Sequence, residues 1–220
     1  GVADMKLGNY KDNSIDAFGD AYEYLMSMYA SNAGKSGGEF FTPQEVSELL
    51  TRIAVVGKTE VNKVYDPACG SGGMFVQSAK FVENHQGNIN NISVYGQDSN
   101  PTTWKMAQMN LAIRGIDASQ VKWNTEGSFL NDAHKDVKVD YLIANPPFND
   151  SDWSGELLRT DGRWKYGIPP IGNANFAWLQ HMIYHLAPAG KIGMVLANGS
   201  LSSQSGGEGE IRKNIINADL

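Results

Sequence analysis

The sequence predicts an α/β fold: a doubly wound, mostly parallel sheet preceded by an N-terminal helical segment. Two observations carry this. Short apolar runs alternate with longer stretches of helical periodicity, and that alternation builds crossover units on a parallel sheet. The strongest turn signals, the glycine-rich stretch 66–73 and Asn145-Pro146-Pro147-Phe148, directly follow such runs. Open α/β sheets present their ligand-binding residues there, beyond the carboxyl ends of the strands.

Along the chain, Ile15, Phe18, Tyr22, Leu25, Met26 and Tyr29 recur at helical spacing after Asp12 and Ser14. They predict an amphipathic helix that packs on a core or a partner. Residues 31–38 form a Gly/Ser-rich loop. Its Gly34-Lys35-Ser36 matches the end of a phosphate-binding loop, but Tyr29 stands where the leading glycine belongs, so ATP binding is rejected. Thr42 as N-cap, Pro43 at the first helical position and Glu45 closing a capping box open a helix to about Val56. The remaining pattern reads strand 61–65, helix 72–83, strand 92–96, and a helix from Asn100-Pro101 to Arg114. Strands 121–124 and 139–144, helix 175–186, strand 191–197 and helix 208–217 complete it. No internal repeat or low-complexity tract interrupts it.

At 220 residues and 41% hydrophobic, the chain is long enough for one sizeable core. No run reaches the roughly 18 apolar residues of a membrane span, and no signal peptide is visible, so a cytoplasmic, membrane-free protein is expected. The start at Gly1 reads as a processed or engineered fragment. The single cysteine excludes a disulfide framework, and no Cys/His cluster suggests zinc. A formal net charge of −6 argues against a protein that grips DNA unaided. The best basic group is Arg159, Arg163 and Lys165, beside Trp153 and Trp164; it reads equally as a nucleic-acid contact or a solvated loop.

Asn145-Pro146-Pro147-Phe148 is the most informative stretch. Two prolines without N–H donors force the backbone out of the sheet. The turn displays an amide, backbone carbonyls and an aromatic ring, a set that can hold a planar amine by its two hydrogens and stack its ring. A nucleobase amino group fits that description, although Asn-Pro is also an ordinary turn initiator. Asp66-Pro67-Ala68-Cys69-Gly70-Ser71-Gly72-Gly73 follows the first sheet strand and opens a helix. Its glycines permit a tight turn, and helix-start amides receive a carboxylate as readily as a phosphate. Asp66 suits an ammonium group better than a pyrophosphate. A ligand with both groups ends in an amino acid, as S-adenosyl-L-methionine (SAM) does. Asp98, at the next strand end, suits ribose hydroxyls. Nicotinamide binding is the main rival, but the glycines at 70, 72 and 73 do not follow the dinucleotide spacing.

Together these blocks resemble the modification (methyltransferase) subunit of type I restriction–modification systems, among the N6-adenine DNA methyltransferases. Glu39-Phe40-Phe41-Thr42-Pro43 resembles the upstream SAM-binding block, residues 66–75 the glycine-rich block, and residues 145–148 the catalytic block. Asp98-Ser99-Asn100-Pro101-Thr102-Thr103, Asn110-Leu111-Ala112-Ile113-Arg114-Gly115 and residues 173–200 are similar to that subunit too. The resemblance implies a Rossmann-like SAM-dependent methyltransferase fold. It implies cofactor contacts from Glu39, Phe40, Phe41, Thr42, Pro43, Gln44, Asp66, Pro67, Ala68, Gly70, Ser71, Gly72, Gly73, Asp98 and Asn145. Catalysis falls to Asn145, Pro146, Pro147 and Phe148, acting on an adenine flipped out of DNA. The implied partners are a separate specificity subunit, a second methyltransferase subunit and a restriction/motor subunit. Residues 1–38 are expected as an N-terminal helix and loop, and 39–220 as the catalytic domain, truncated before its last strands. The residue that meets the SAM adenine, within 124–128, stays open.

Other readings remain at this stage. Cytosine N4 presents a similar exocyclic amine, and a SAM-binding assembly module inactive without partners would show the same blocks. A protein-glutamine methyltransferase shares the Asn-Pro-Pro logic, but its usual fourth residue is Tyr. Cys69 sits inside the glycine turn, which suits a small tolerated side chain better than a nucleophile. His181 and His185 share a helix face, but Met182 stands where the zinc-protease pattern needs glutamate. Trp104, Phe176 and Trp178 are expected as packing.

Overall fold

A computed structural model describes residues 14–32, 40–57, 60–86, 88 and 91–220. Glu39 and residues 33–38 of the Gly/Ser-rich loop lie outside the described residues. Helices α1 (Ser14–Asn32) and α2 (Gln44–Ala54) precede the sheet. Then β1 (Lys63–Asp66), α3 (Gly73–Gln86), β2 (Ser93–Asp98), α4 (Pro101–Ile113), β3 (Val121–Trp123), a single-turn α5 (Gly127–Leu130) and β4 (Val139–Ala144) alternate. Helix α6 (Asn175–His185), β5 (Leu186–Met194) and α7 (Glu208–Asn217) follow.

The sheet order is β3-β2-β1-β4-β5, and every pairing is parallel. The chain winds outward from β1 to β3, then returns to β4 on the other side of β1. That reversal opens a crevice between the ends of β1 and β4, where Asp66 and Asn145 stand. Strand β4 shows why the sheet is covered on both faces. Tyr141 and Ile143 join the core under α2, α3 and α4, while Leu142 and Ala144 meet Met182 of α6 in the opposite layer. Alternate side chains of a strand point to opposite faces, so a strand buried on both reads as one apolar run.

Two expectations are corrected, and a third is refined. Helix α2 begins at Gln44 with Pro43 as N-cap, and no side chain caps it. The Pro43 carbonyl receives the Val46 and Ser47 amides at 3.1 Å each, so the turn closes without the Thr42 hydroxyl and the capping box does not form. Strand β5 starts at Leu186, earlier than residue 191, because Leu186 pairs with Val139 before an irregular segment and Lys191 with Tyr141 after it. On α1, Phe18, Leu25 and Tyr29 are exposed. Contact with the domain runs through Tyr22, whose hydroxyl donates to the Met106 carbonyl at 2.9 Å, through the Tyr29 ring, 5.6 Å from that of Phe40, and through a Glu23–Arg114 ion pair.

Residues 145–174 contain neither helix nor strand, a length that in a compact domain marks a functional loop. Aromatics anchor it. Trp153 and Trp164 bury against Phe129 and Trp178, with ring centroids 4.2 Å apart for Phe129–Trp178 and 5.8 Å for Trp153–Trp164. Such pairs each add about 0.5–1.5 kcal/mol beyond area burial.

Candidate active site

A cavity of about 660 Å³ opens at the crevice, within the range of pockets that hold small-molecule cofactors. Phe40 and Asp98 line one part of it, the segment 125–129 another, and Pro147 with Asp150, Asp152 and Trp153 a third. Its wall thus carries the carboxylates of Asp98, Glu126, Asp150 and Asp152, a setting that favours a cationic ligand. A narrow cleft beside it is lined by Phe41, Thr42, Gln44, Ser71 and Gly73. The expected site residues are therefore distributed. Phe40, Pro67, Ala68, Asp98 and Pro147 border the cavity, and Phe41, Thr42, Gln44, Ser71 and Gly73 border the cleft. Neither lining includes Pro43 and Phe148, which are exposed, Asn145, which is half-buried, or Asp66, Gly70, Gly72 and Pro146, which are buried.

The glycine turn makes the tight turn expected of it, and its own amides are engaged within the chain. Gly70 and Gly72 hold positive φ of 54° and 80°, and a Cβ on Gly70 would lie 2.7 Å from the Phe40 carbonyl oxygen, so only glycine fits there. This folding turns the amides inward. The Gly70 N–H donates to Asp98 Oδ2 at 3.1 Å, and the Ser71 and Gly72 N–H groups donate to the Phe40 and Cys69 carbonyls at 2.9 Å. These three are thereby satisfied within the chain. An incoming carboxylate is left with the opening amides of α3, at Gly73 and Met74, where a helix lacks intrahelical acceptors. From the far side, Asn110 Nδ2 donates to the Ser71 carbonyl at 2.8 Å.

Asp66 is 2% exposed and accepts the Ala68 N–H at 3.0 Å. Burial pushes its carboxyl up to about 8; the Ala68 hydrogen bond opposes this and nearby Asp98 adds to it. Asp98 is raised as well, by burial, although the Asn100 and Gly70 amides hold its two oxygens. Burial raises the Cys69 thiol well above its ordinary value, which leaves it an inert small side chain in the turn.

At the end of β4, Asn145 Nδ2 donates to Thr42 Oγ1 at 3.2 Å. Its other amide atom, Oδ1, is buried without a hydrogen-bond partner. An unpaired buried acceptor costs free energy, and it stands where the amine-holding group was expected. Pro146 is buried behind it, while Phe148 is 48% exposed.

Arg163 corrects the basic group proposed for nucleic acid. Its side chain is 9% exposed and pairs with Asp161 at 2.7 Å. The same guanidinium holds the Ser128 and Phe129 carbonyls and lies 3.0 Å from His181 Nδ1. Trp153 and Trp164 are core residues, so only Arg159 and Lys165 remain exposed. His181, His185 and Asp132 converge within 4.8 Å, but their atoms are already engaged. His181 Nε2 meets the Tyr65 hydroxyl at 3.2 Å, and His185 bonds the Val137 carbonyl and Asp132 at 2.8 and 2.9 Å. Burial lowers His181 to about 3, with His185 contributing. A neutral ring beside a guanidinium suits a hydrogen-bonded strut, not a cation site. Trp178 is buried against Phe129 as a packing residue, yet it also borders the cavity. The roles of Asn110 and Arg163 went unread. The only signal for Asn110 was the 110–115 block, and nothing local marked Arg163 as buried.

The N-6 DNA Methylase family profile matches residues 13–220. The HindI methylase subunit of a type I restriction enzyme from Haemophilus influenzae is 57% identical over 205 residues, 93% of this chain and 45% of that protein. The MjaIX methylase subunit from Methanocaldococcus jannaschii is 43% identical over 211 residues, covering 93% and 37%. Among solved structures, a type I restriction-modification methyltransferase subunit from Streptococcus thermophilus superposes with a TM-score of 0.82 at 28% identity, over 98% of this chain and 46% of that one. The chain thus spans less than half the length of these relatives. Since the family profile runs through α1, both strand ends of the crevice and the final helix, the chain belongs to the N-6 DNA methylase family.

Proposed function

We propose that this chain is the catalytic part of a type I restriction–modification methyltransferase subunit, which moves a methyl group from SAM to adenine N6 in DNA. Residues 39–220 form the SAM-dependent domain in this reading and 1–38 its N-terminal segment. The protein works in the cytoplasm with a specificity subunit, a second methyltransferase subunit and a restriction/motor subunit. One observation carries the reading: the Asn145 amide is held by its nitrogen end, leaving Oδ1 buried and unpartnered at the switch point.

The site residues fit the cofactor chemically. The cavity has a suitable size and an acidic wall. Asp98 retains lone pairs for ribose hydroxyls, Asp66 in its ionised form suits an ammonium group, and Phe40, Phe41, Thr42 and Gln44 flank the turn. SAM supplies an electrophilic methyl on a sulfonium. The chain's task is to present an amine whose lone pair is delocalised into its ring. Asn145 Oδ1 and the Pro146 carbonyl accept the two amine hydrogens, which favours a tetrahedral nitrogen and localises its lone pair. The same acceptors stabilise the positive charge that develops on that nitrogen. Half-exposed Phe148 offers a stacking face to the flipped base. The proton departs after transfer, so no strong base is required.

The test is methyl transfer by the full-length protein with its specificity subunit, with the modified base identified by mass spectrometry. N6-methyladenine is expected, reduced by roughly a hundredfold or more in Asn145→Ala. Unchanged activity in that variant sinks the mechanism, and N4-methylcytosine as product overturns the choice of base.

A further inference from the structure

We propose that Asn110 is a positioning residue for the glycine turn, and that α1 holds it in place through Arg114, so that the docking of α1 sets the affinity for SAM. The inference rests on the SAM reading above and gives Asn110, Arg114 and α1 a part in cofactor binding.

The narrow cleft beside the cavity is lined by Glu23 of α1 and Asn110 of α4 together with Ser71 and Gly73. Asn110 is 2% exposed, and Arg114, which ends α4, is buried as well. Arg114 Nη1 donates to Asn110 Oδ1 and, at 3.1 Å, to the Asn110 carbonyl. Asn110 Nδ2 donates in turn to the Ser71 carbonyl at 2.8 Å. A guanidinium only donates and a backbone carbonyl only accepts, so these two partners admit a single orientation of the amide.

What Asn110 holds is the peptide between Ser71 and Gly72. The N–H of that peptide donates to the Cys69 carbonyl at 2.9 Å, so its plane is gripped at both ends. Gly72 sits at a φ of 80° and, without a Cβ, would tolerate many other orientations of the plane. The next amides, at Gly73 and Met74, are those left for the cofactor carboxylate, and their direction follows the plane before them. On its other side Arg114 rests on α1. Its Nη2 lies 3.2 Å from Glu23 Oε1, and a Cβ on buried Gly19 would come within 2.8 Å of the guanidinium carbon. Gly19 and Glu23 stand one helical turn apart on a single face of α1. The glycine makes room for the flat cation, and the glutamate neutralises it. A chain of contacts thus runs from α1 through Arg114 and Asn110 to the cofactor turn.

The experiment titrates SAM calorimetrically into the full-length methyltransferase subunit and its variants, at a temperature where thermal denaturation shows each of them folded. Asn110→Leu removes both side-chain bonds and should raise the Kd for SAM roughly 10-fold. Asn110→Asp keeps the shape and the Arg114 contact but offers the Ser71 carbonyl no donor, and should raise Kd at least as far. Gly19→Ala makes α1 a better helix yet displaces the guanidinium, so Kd should rise about threefold although helix propensity improves. In an Asn110→Leu background the same Gly19→Ala change should have no effect, because the chain of contacts is already cut. Val82→Ala removes fully buried core atoms from α3; it weakens the fold away from these contacts and should keep the parental Kd. Parental affinity in both Asn110 variants would overturn the positioning role while leaving the SAM reading intact. A Val82→Ala protein that loses SAM as much as Asn110→Leu would overturn it too, since general loosening would then be the cause. A Gly19→Ala effect of equal size in both backgrounds would overturn the link to α1. No SAM binding by the folded parent protein sinks the SAM reading, and the inference with it.

Discussion

Asp66 illustrates how a single residue's environment sets its chemistry. Its ordinary value is 3.8 and burial carries it to about 8. The folded protein therefore holds a proton that the unfolded chain releases above pH 4. By linkage, the stability of the ligand-free protein contributed by this group is fully present below the unfolded value. It falls as pH rises through the window to about 8. An ammonium ligand needs the ionised form, so its affinity should move the other way and rise across that window. Thermal denaturation and SAM calorimetry between pH 5 and pH 8 should show these opposite slopes, and Asp66→Asn should flatten both. A SAM affinity that does not change with pH in the parent protein would disprove the ammonium contact. The acid at a strand end was legible in the sequence. That it is buried, and holds the Ala68 amide, was not.

At the scale of elements, one guanidinium supplements the aromatic cluster in holding the loop 145–174. Arg163 joins Asp161 of the loop to the Ser128 and Phe129 carbonyls of the cavity wall and to His181 of α6. Removing the guanidinium strands the Ser128 and Phe129 carbonyls, while the Asp161 side chain, 21% exposed, can turn to water, so the cost should be about 1–3 kcal/mol. Arg163→Met should lose that order of stability in urea denaturation. Arg163→Lys should recover part of it, since a point charge cannot reproduce the fork. A loss within experimental error in Arg163→Met would show that the aromatic cluster alone secures the loop. Sequence reading grouped Arg163 with Arg159 and Lys165 by proximity. Only the fold separated the buried cation from the two exposed ones.

For the whole molecule, charge limits what the domain does alone. Its net charge is −6, and the carboxylates of Asp98, Glu126, Asp150 and Asp152 border the cavity. Such a chain cannot neutralise many phosphates, so the 220-residue domain by itself should bind duplex DNA weakly, with a shallow dependence of affinity on salt. If the proposed function holds, assembly with the specificity subunit it invokes should steepen that slope, as titrations at several ionic strengths would show. A steep slope for the isolated domain would reveal a phosphate-binding face that its composition conceals. The same acidic wall should favour cationic SAM over its demethylated product, whose sulfur is neutral.

What the sequence determined by itself was local and periodic. The alternation of strand and helix patterns specified a doubly wound sheet. The turns at 66–73 and 145–148 fell at strand ends because prolines and glycines stop a strand wherever they occur. Asn100 accepts the Thr102 and Thr103 amides at 2.9 and 3.2 Å, as its place before Pro101 predicted. The tertiary structure decided which polar groups spend their hydrogen bonds on each other. The Thr42 hydroxyl, in the place of a cap, meets Asn145, and the Gly70, Ser71 and Gly72 amides bond Asp98, Phe40 and Cys69. A donor's best acceptor is chosen among groups brought near by folding, and residues far apart in the chain carry no local mark of that pairing.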